Sequence, residues 1–158
     1  MKPNRSVAIV RAALVAAIVT LATVASGCSR GGGPLPTGTV TIRTAGGPVK
    51  LNVEIAGDHK ARVKGLMGRG SLNYDAGMAF LWDEPTDGFF WMKDTLIPLS
   101  IAFWAHGRVI ALFEMSPCHQ DPCRLYGPGK AYDGAVEATQ GFFSNNQVVV
   151  GDQIELHR

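Results

Sequence analysis

Hydrophobic and polar positions alternate most strictly over Val49-Lys50-Leu51-Asn52-Val53-Glu54-Ile55. A period of two predicts a half-buried strand there, with Val49, Leu51, Val53 and Ile55 facing inward. Thr39 to Arg43 predicts a strand before it, joined across Gly46-Gly47-Pro48. Asp58 is placed to cap a short helix running through Val63 to Leu66, closed by Gly68. Four apolar strands are then expected, at Gly77 to Trp82, Phe89 to Thr95, Leu99 to Ala105 and Arg108 to Met115. His106-Gly107 reads as the tight turn joining the last two. Tyr132 to Ala138 and Val148 to Leu156 predict later strands, with one helical turn within Thr139 to Asn146. The expected fold is mainly β, a compact β-sandwich or barrel-like domain with two short helices.

The N-terminus follows a different pattern. Lys2, Arg5 and Arg11 precede an uncharged apolar run from Ala12 to Ala25, followed by Ser26-Gly27-Cys28. A basic start, a short apolar stretch and small residues at its end describe an export signal over residues 1–27. Ala25-Ser26-Gly27-Cys28 resembles a lipobox, which makes Cys28 the expected lipidation site. Residues 28–38 then form a Gly- and Pro-rich tether, and residues 39–158 a single β-rich domain. Ten extended residues reach at most ~35 Å, so the domain is expected close to the membrane surface. This places it on the outer side of the cytoplasmic membrane, or in the periplasm or outer membrane.

Composition narrows the classes. With 46% hydrophobic and 18% charged residues among 158, the chain is not a disordered, solvating sequence. The formal charge of +2 counts Lys2, Arg5 and Arg11. Removing these three leaves 12 basic residues against 13 acidic ones, with no basic stripe, so no nucleic-acid partner is expected.

Candidate chemistry is sparse. In an exported protein, Cys118 and Cys123 in Ser-Pro-Cys-His-Gln-Asp-Pro-Cys are most simply a disulfide. The alternatives are a metal site with His119 and Asp121, which lacks a fourth ligand, and a redox pair, which lacks Cys-x-x-Cys spacing. Met67, Met78, Met92 and Met115 are scattered among apolar neighbours and read as core packing, not Cu(I) ligands. No His-Glu-x-x-His, Gly-x-Ser-x-Gly or phosphate loop occurs, and no metal or cofactor is expected.

Four stretches carry a family likeness. They are Gly65-Leu66-Met67 with Arg69 and Ser71-Leu72; Gly77-Met78-Ala79-Phe80 with Asp83-Glu84-Pro85; Phe90-Trp91-Met92-Lys93-Asp94-Thr95-Leu96-Ile97-Pro98-Leu99; and Pro117-Cys118 through Pro122-Cys123. From Leu51 to Leu156 the chain resembles the family called domain of unknown function 192, small and often exported bacterial and archaeal proteins. The resemblance implies a mainly β sandwich or barrel-like fold with short helices and leaves the activity open. This chain departs from the family pattern at three positions: Asp94 where Asn is common, Ser100 where Asp is common, and Gln147 where Gly is usual.

The candidate ligand-binding residues are Arg69, Trp91, Lys93, Asp94, Thr95 and Glu114. On a strand, Trp91, Lys93 and Thr95 would project from one face, an aromatic, a cation and a hydroxyl suited to the wall of a polar ligand site. Arg69 or Glu114 is expected nearby. Glu114 lies in an apolar run, so it is either buried with a raised pKa or on the solvent face. The expected function is a noncatalytic, membrane-anchored lipoprotein domain binding a polar ligand or partner, such as an envelope glycan or envelope protein. The alternatives are an enzyme using Asp94 and Glu114 as acid and base, or a structural assembly partner. Two carboxylates converging on one cleft would favour the enzyme; a flat apolar patch would favour assembly.

Overall fold

The alternating segment forms a longer hairpin than its periodicity alone marks out. β1 (Thr37–Thr44) and β2 (Gly47–Ala56) pair antiparallel, from Thr37 opposite Glu54 to Thr44 opposite Gly47. The computed structural model describes residues 33–158; the export segment, Cys28 and the first tether residues lie outside the described residues. Leu35 already packs against the core, and the Pro36 carbonyl accepts the Ile55 N–H at 2.7 Å. Ordered pairing therefore starts two residues before the expected Thr39.

α1 (His59–Lys64) follows β2, with Asp58 Oδ1 accepting the Ala61 N–H at 2.8 Å. It ends at Gly65, whose φ of 45° stops the helix three residues before the expected Gly68. α1 is the crossover to β3 (Ala76–Thr86), which runs parallel to β2. β4 (Phe90–Trp91), β5 (Leu99–Ala105), β6 (Arg108–Met115), β7 (Leu125–Tyr126), β8 (Tyr132–Thr139), α2 (Phe142–Asn145) and β9 (Gln153–His157) complete the described chain. Seven strands close into a barrel in the order β1-β2-β3-β8-β5-β6-β9, while β4 and β7 form a separate two-stranded sheet. His106 and Gly107 both adopt positive φ at the β5–β6 turn, as that hairpin requires. The mainly β class and two short helices hold, and the architecture is a barrel.

Strand parity divides the core in two. Val40, Ile42, Leu51, Val53, Ala79, Ala102, Val136 and Ile154 fill the barrel interior. Alternate residues of β3, β8, β5 and β6 (Met78, Phe80, Ala135, Ile101, Phe103, Met115) point outward, yet they are buried as well. α1, the 65–72 segment, Met92 and Tyr126 cover them, forming a second apolar layer outside the barrel.

Two expected strands are corrected. Phe89 to Thr95 forms a strand only at Phe90 and Trp91, opposite Tyr126 and Leu125, with one isolated bridge from Lys93 to Cys118 beyond it. Asp94 takes φ 54°, and the Thr95 N–H returns to the Met92 carbonyl at 3.2 Å, so the chain turns where a continuous strand was expected. The last strand starts at Gln153, not Val148. Val149 and Val150 are exposed in a turn in which the Val149 N–H donates to Asp152 Oδ2 at 2.9 Å.

Candidate functional site

β8 reads Gly134-Ala135-Val136-Glu137-Ala138-Thr139, an apolar run interrupted by one acid. Val136 and Ala138 face the barrel interior, so Glu137 faces the outer layer with Ala135. Its strand neighbours there are Met78 on β3 and Ile101 on β5, both buried. Glu137 is only 5% exposed. No hydrogen bond or ion pair reaches its carboxyl group from the described residues. Burial alone raises its pKa from 4.5 to about 8. At neutral pH this acid is mostly uncharged.

The carboxyl opens onto a cavity of about 380 Å³ between the barrel's outer face and its covering segments. Phe80, Trp82, Tyr132 and Glu137 form the sheet side. α1 and the following turn supply His59, Arg62, Lys64, Leu66 and Met67, while Phe89, Phe90, Trp91 and Thr95 close the other wall. The aromatics pack edge to face, with ring centroids 4.9 Å apart for Phe80 and Phe90, and 5.4 Å for Trp82 and Tyr132. The Tyr132 hydroxyl donates to the Gly88 carbonyl at 3.1 Å, and burial helped by Asp87 raises its pKa to about 12. Arg62 Nη1 donates to the carbonyls of Gly57 (2.6 Å) and Leu81 (2.7 Å) and lies 5.3 Å over the Trp82 ring, fastening α1 to β3. His59, Arg62 and Lys64 form no ion pair among the described residues.

The sequence-derived candidates divide among several places. Trp91 and Thr95 line this cavity. Trp91 is 47% exposed, whereas Thr95 is buried, its hydroxyl donating to the Lys93 carbonyl at 3.4 Å. Lys93 does not line the cavity. Its ammonium pairs with Asp121 at 2.9 Å and lies 5.7 Å over the Trp91 ring, and the hydrogen bond to Asp121 raises its pKa. Asp94 sits in the turn, its carbonyl accepting the Gly68 N–H at 2.8 Å. Arg69 pairs with Glu54 in a separate shallow depression with Asn52 and Gly77.

Glu114 is exposed on β6, away from the cavity. Its Oε2 accepts the Ser100 hydroxyl at 2.7 Å, and both groups receive the Gly141 N–H that precedes α2. Asp94 and Glu114 therefore do not meet at one cleft. Glu137 is the residue the sequence reading missed. Its sequence signal, an acid alone in an apolar strand, is shared with Glu114.

Cys118 and Cys123 are joined in a disulfide, so neither sulfur is a free thiolate beside Asp121. The bridged loop is tied to the cavity wall twice, through a bridge between Cys118 and Lys93 and through the Lys93–Asp121 ion pair.

Two solved structures share this fold. A protein of Sinorhizobium meliloti 1021, provisionally described as a transcription regulator, superposes with a TM-score of 0.73 at 29% identity, covering 80% of this chain and 98% of its own. A protein of unknown function from Novosphingobium aromaticivorans DSM 12444 gives 0.70 at 26% identity, covering 79% and 94%. No curated protein matches. The DUF192 family, described as Uncharacterized ACR, matches residues 40–156, which takes in the barrel and the outer layer with its cavity. The chain belongs to the DUF192 family.

Proposed function

We propose that this protein is a noncatalytic ligand-binding domain of the cell envelope, held at the membrane by a lipid on Cys28, with the cavity over β8 as its site. One observation carries the reading: Glu137 is a buried acid with no hydrogen-bond or ion-pair partner among the described residues, open to a cavity walled by aromatic side chains. A buried polar group without a partner costs about 1–3 kcal/mol. A fold retains such a group at low cost when a ligand satisfies it. A mostly apolar concave site with one convergent polar group is also the usual form of a small-molecule pocket. The binding reading is favoured over acid–base catalysis because Asp94 and Glu114 do not converge and Glu137 has no second carboxylate beside it. The transcription-regulator description of the S. meliloti protein is not carried over. The two described helices have six and four residues, which is short for reading a DNA groove.

The test is a thermal-shift screen of the purified protein against small envelope metabolites. A true ligand raises the Tm of the parent, and Trp91→Ala and Glu137→Gln each lose that rise. Lys93→Ala, whose ammonium is engaged by Asp121, keeps it. A ligand whose effect is equal in parent, Trp91→Ala and Glu137→Gln would place binding elsewhere. For the anchor, Cys28→Ser is expected to leave an unprocessed precursor or to release the protein from the membrane fraction. A mature-size Cys28→Ser protein that still sediments with membranes would overturn the anchor.

A further inference from the structure

The geometry points to a zwitterionic ligand, entering with an ammonium head against Glu137 and leaving its anionic group at the mouth beside Lys64 and His59. This deepens the binding reading above and rests on it. Glu137 lies on the sheet side of the cavity, and its strand register places Phe80 diagonally beside it on β3, with Phe90 stacked edge-on against Phe80. A carboxyl group in a cavity lined by aromatic rings is a setting that attracts organic cations, because the ring quadrupole and the carboxylate act in the same direction. The mouth has the opposite sign. Arg62 and Lys64 bring two positive charges and His59 an imidazole, with no ion pair among the described residues to neutralise the two charges. A pure cation would meet repulsion at the mouth, and a pure anion would find no partner at the acid. A zwitterion satisfies both ends.

Binding of such a head carries a proton signature. In the empty cavity burial favours the protonated form of Glu137. An adjacent ammonium stabilises the carboxylate, so the acid proton leaves to the buffer as the ion pair forms. The groups around Glu137 do not supply a competing proton. β3 presents Met78, Phe80 and Trp82 and β5 presents Ile101, none of which titrates. Tyr132 holds its proton to about pH 12, and Asp87 acts on Tyr132. α1 contributes His59, Arg62 and Lys64 at the mouth, and the covering segment contributes Thr95, while Lys93 and Asp94 stand outside the cavity. His59 lines the cavity as well, so His59→Gln serves as a control for the source of the proton.

The experiment is titration calorimetry of the full protein with glycine betaine, γ-butyrobetaine, choline and acetate, in two pH 7 buffers of different ionisation enthalpy. These probes have permanent or strongly fixed charges, so any proton exchanged comes from the protein. At least one betaine is expected to bind more tightly than choline or acetate and to release close to one proton. Affinity should rise up to tenfold per pH unit below pH 8. Glu137→Gln should lose at least tenfold in betaine affinity together with the proton release, whereas His59→Gln should still release close to one proton on betaine binding. Lys64→Ala should weaken the betaine several-fold and leave choline unchanged. Betaine binding without proton release, equal binding by Glu137→Gln, or acetate binding more tightly than every betaine would overturn the ligand class. Failure of all three ammonium probes would overturn it as well. Failure of the cavity reading looks different: no ligand of any class then has a thermal effect that Glu137→Gln or Trp91→Ala changes.

Discussion

Asp94 and Gln147 adopt left-handed backbone, with φ of 54° and 56°. Asn, Asp and Gly tolerate that region best, so at both positions the residue common in the family suits the same bend. Positions 94 and 147 thus bear on backbone shape, and Ser100 shares with Glu114 the N–H of Gly141 that precedes α2. Glu137 is the acid whose burial sets a pH dependence. Its folded pKa of about 8 lies above the unfolded value of 4.5, so the folded state binds the proton more tightly. Its contribution to stability is fully present below pH 4.5 and is lost as pH rises through about 8. Glu137→Gln mimics the neutral acid and should remove this decline, which approaches roughly 1.4 kcal/mol per pH unit inside that window. Urea unfolding of parent and variant at pH 5, 6 and 7 checks it; parallel stability curves would show that Glu137 is solvated. Glu137 and Glu114 look alike in sequence, each an acid among apolar residues. Only the third dimension separates them, because β8 lies beneath a covering layer whereas Glu114 lies at an exposed position on β6.

Elements whose faces meet different surroundings were legible from alternation, as in β2, or from apolar runs flanked by a Gly turn, as in β5 and β6. Phe89 to Thr95 misled because contiguous apolar residues also suit a loop pressed onto a buried sheet face. Its only strand partner, β7, is two residues long and carries no period to read. The choice between the sandwich and the barrel-like form was not legible, since closure depends on β9 returning to β1. Gly134 shows how tightly the strands fit. It sits opposite Trp104, and a Cβ there would collide with the indole ring. Gly134→Ala is expected to destabilise the fold by about 1–3 kcal/mol in chemical denaturation; a neutral result would mean the indole moves freely. Cys118 and Cys123 close a short loop, so replacing both with Ala should cost about 2 kcal/mol or less in the same measurement.

At the scale of the molecule, the barrel ladder closes without any contribution from α1, β4 or β7. The cavity lies between that closed cylinder and the pieces laid over it, so its outer wall can detach without breaking a ladder hydrogen bond. Amide hydrogen exchange should then fall into two tiers. Amides of β1, β2, β3, β5 and β8 should exchange near the free energy of global unfolding. Those of residues 59–68 and 90–95 should exchange through a smaller, local opening, and a bound ligand should slow the second set alone. A single uniform tier would mean that the outer layer and the barrel unfold as one. With two tiers, a ligand of the proposed site would enter by local breathing of a cover while the cylinder beneath stays intact. Entry rate and fold stability would then be separate quantities, open to independent change by mutation.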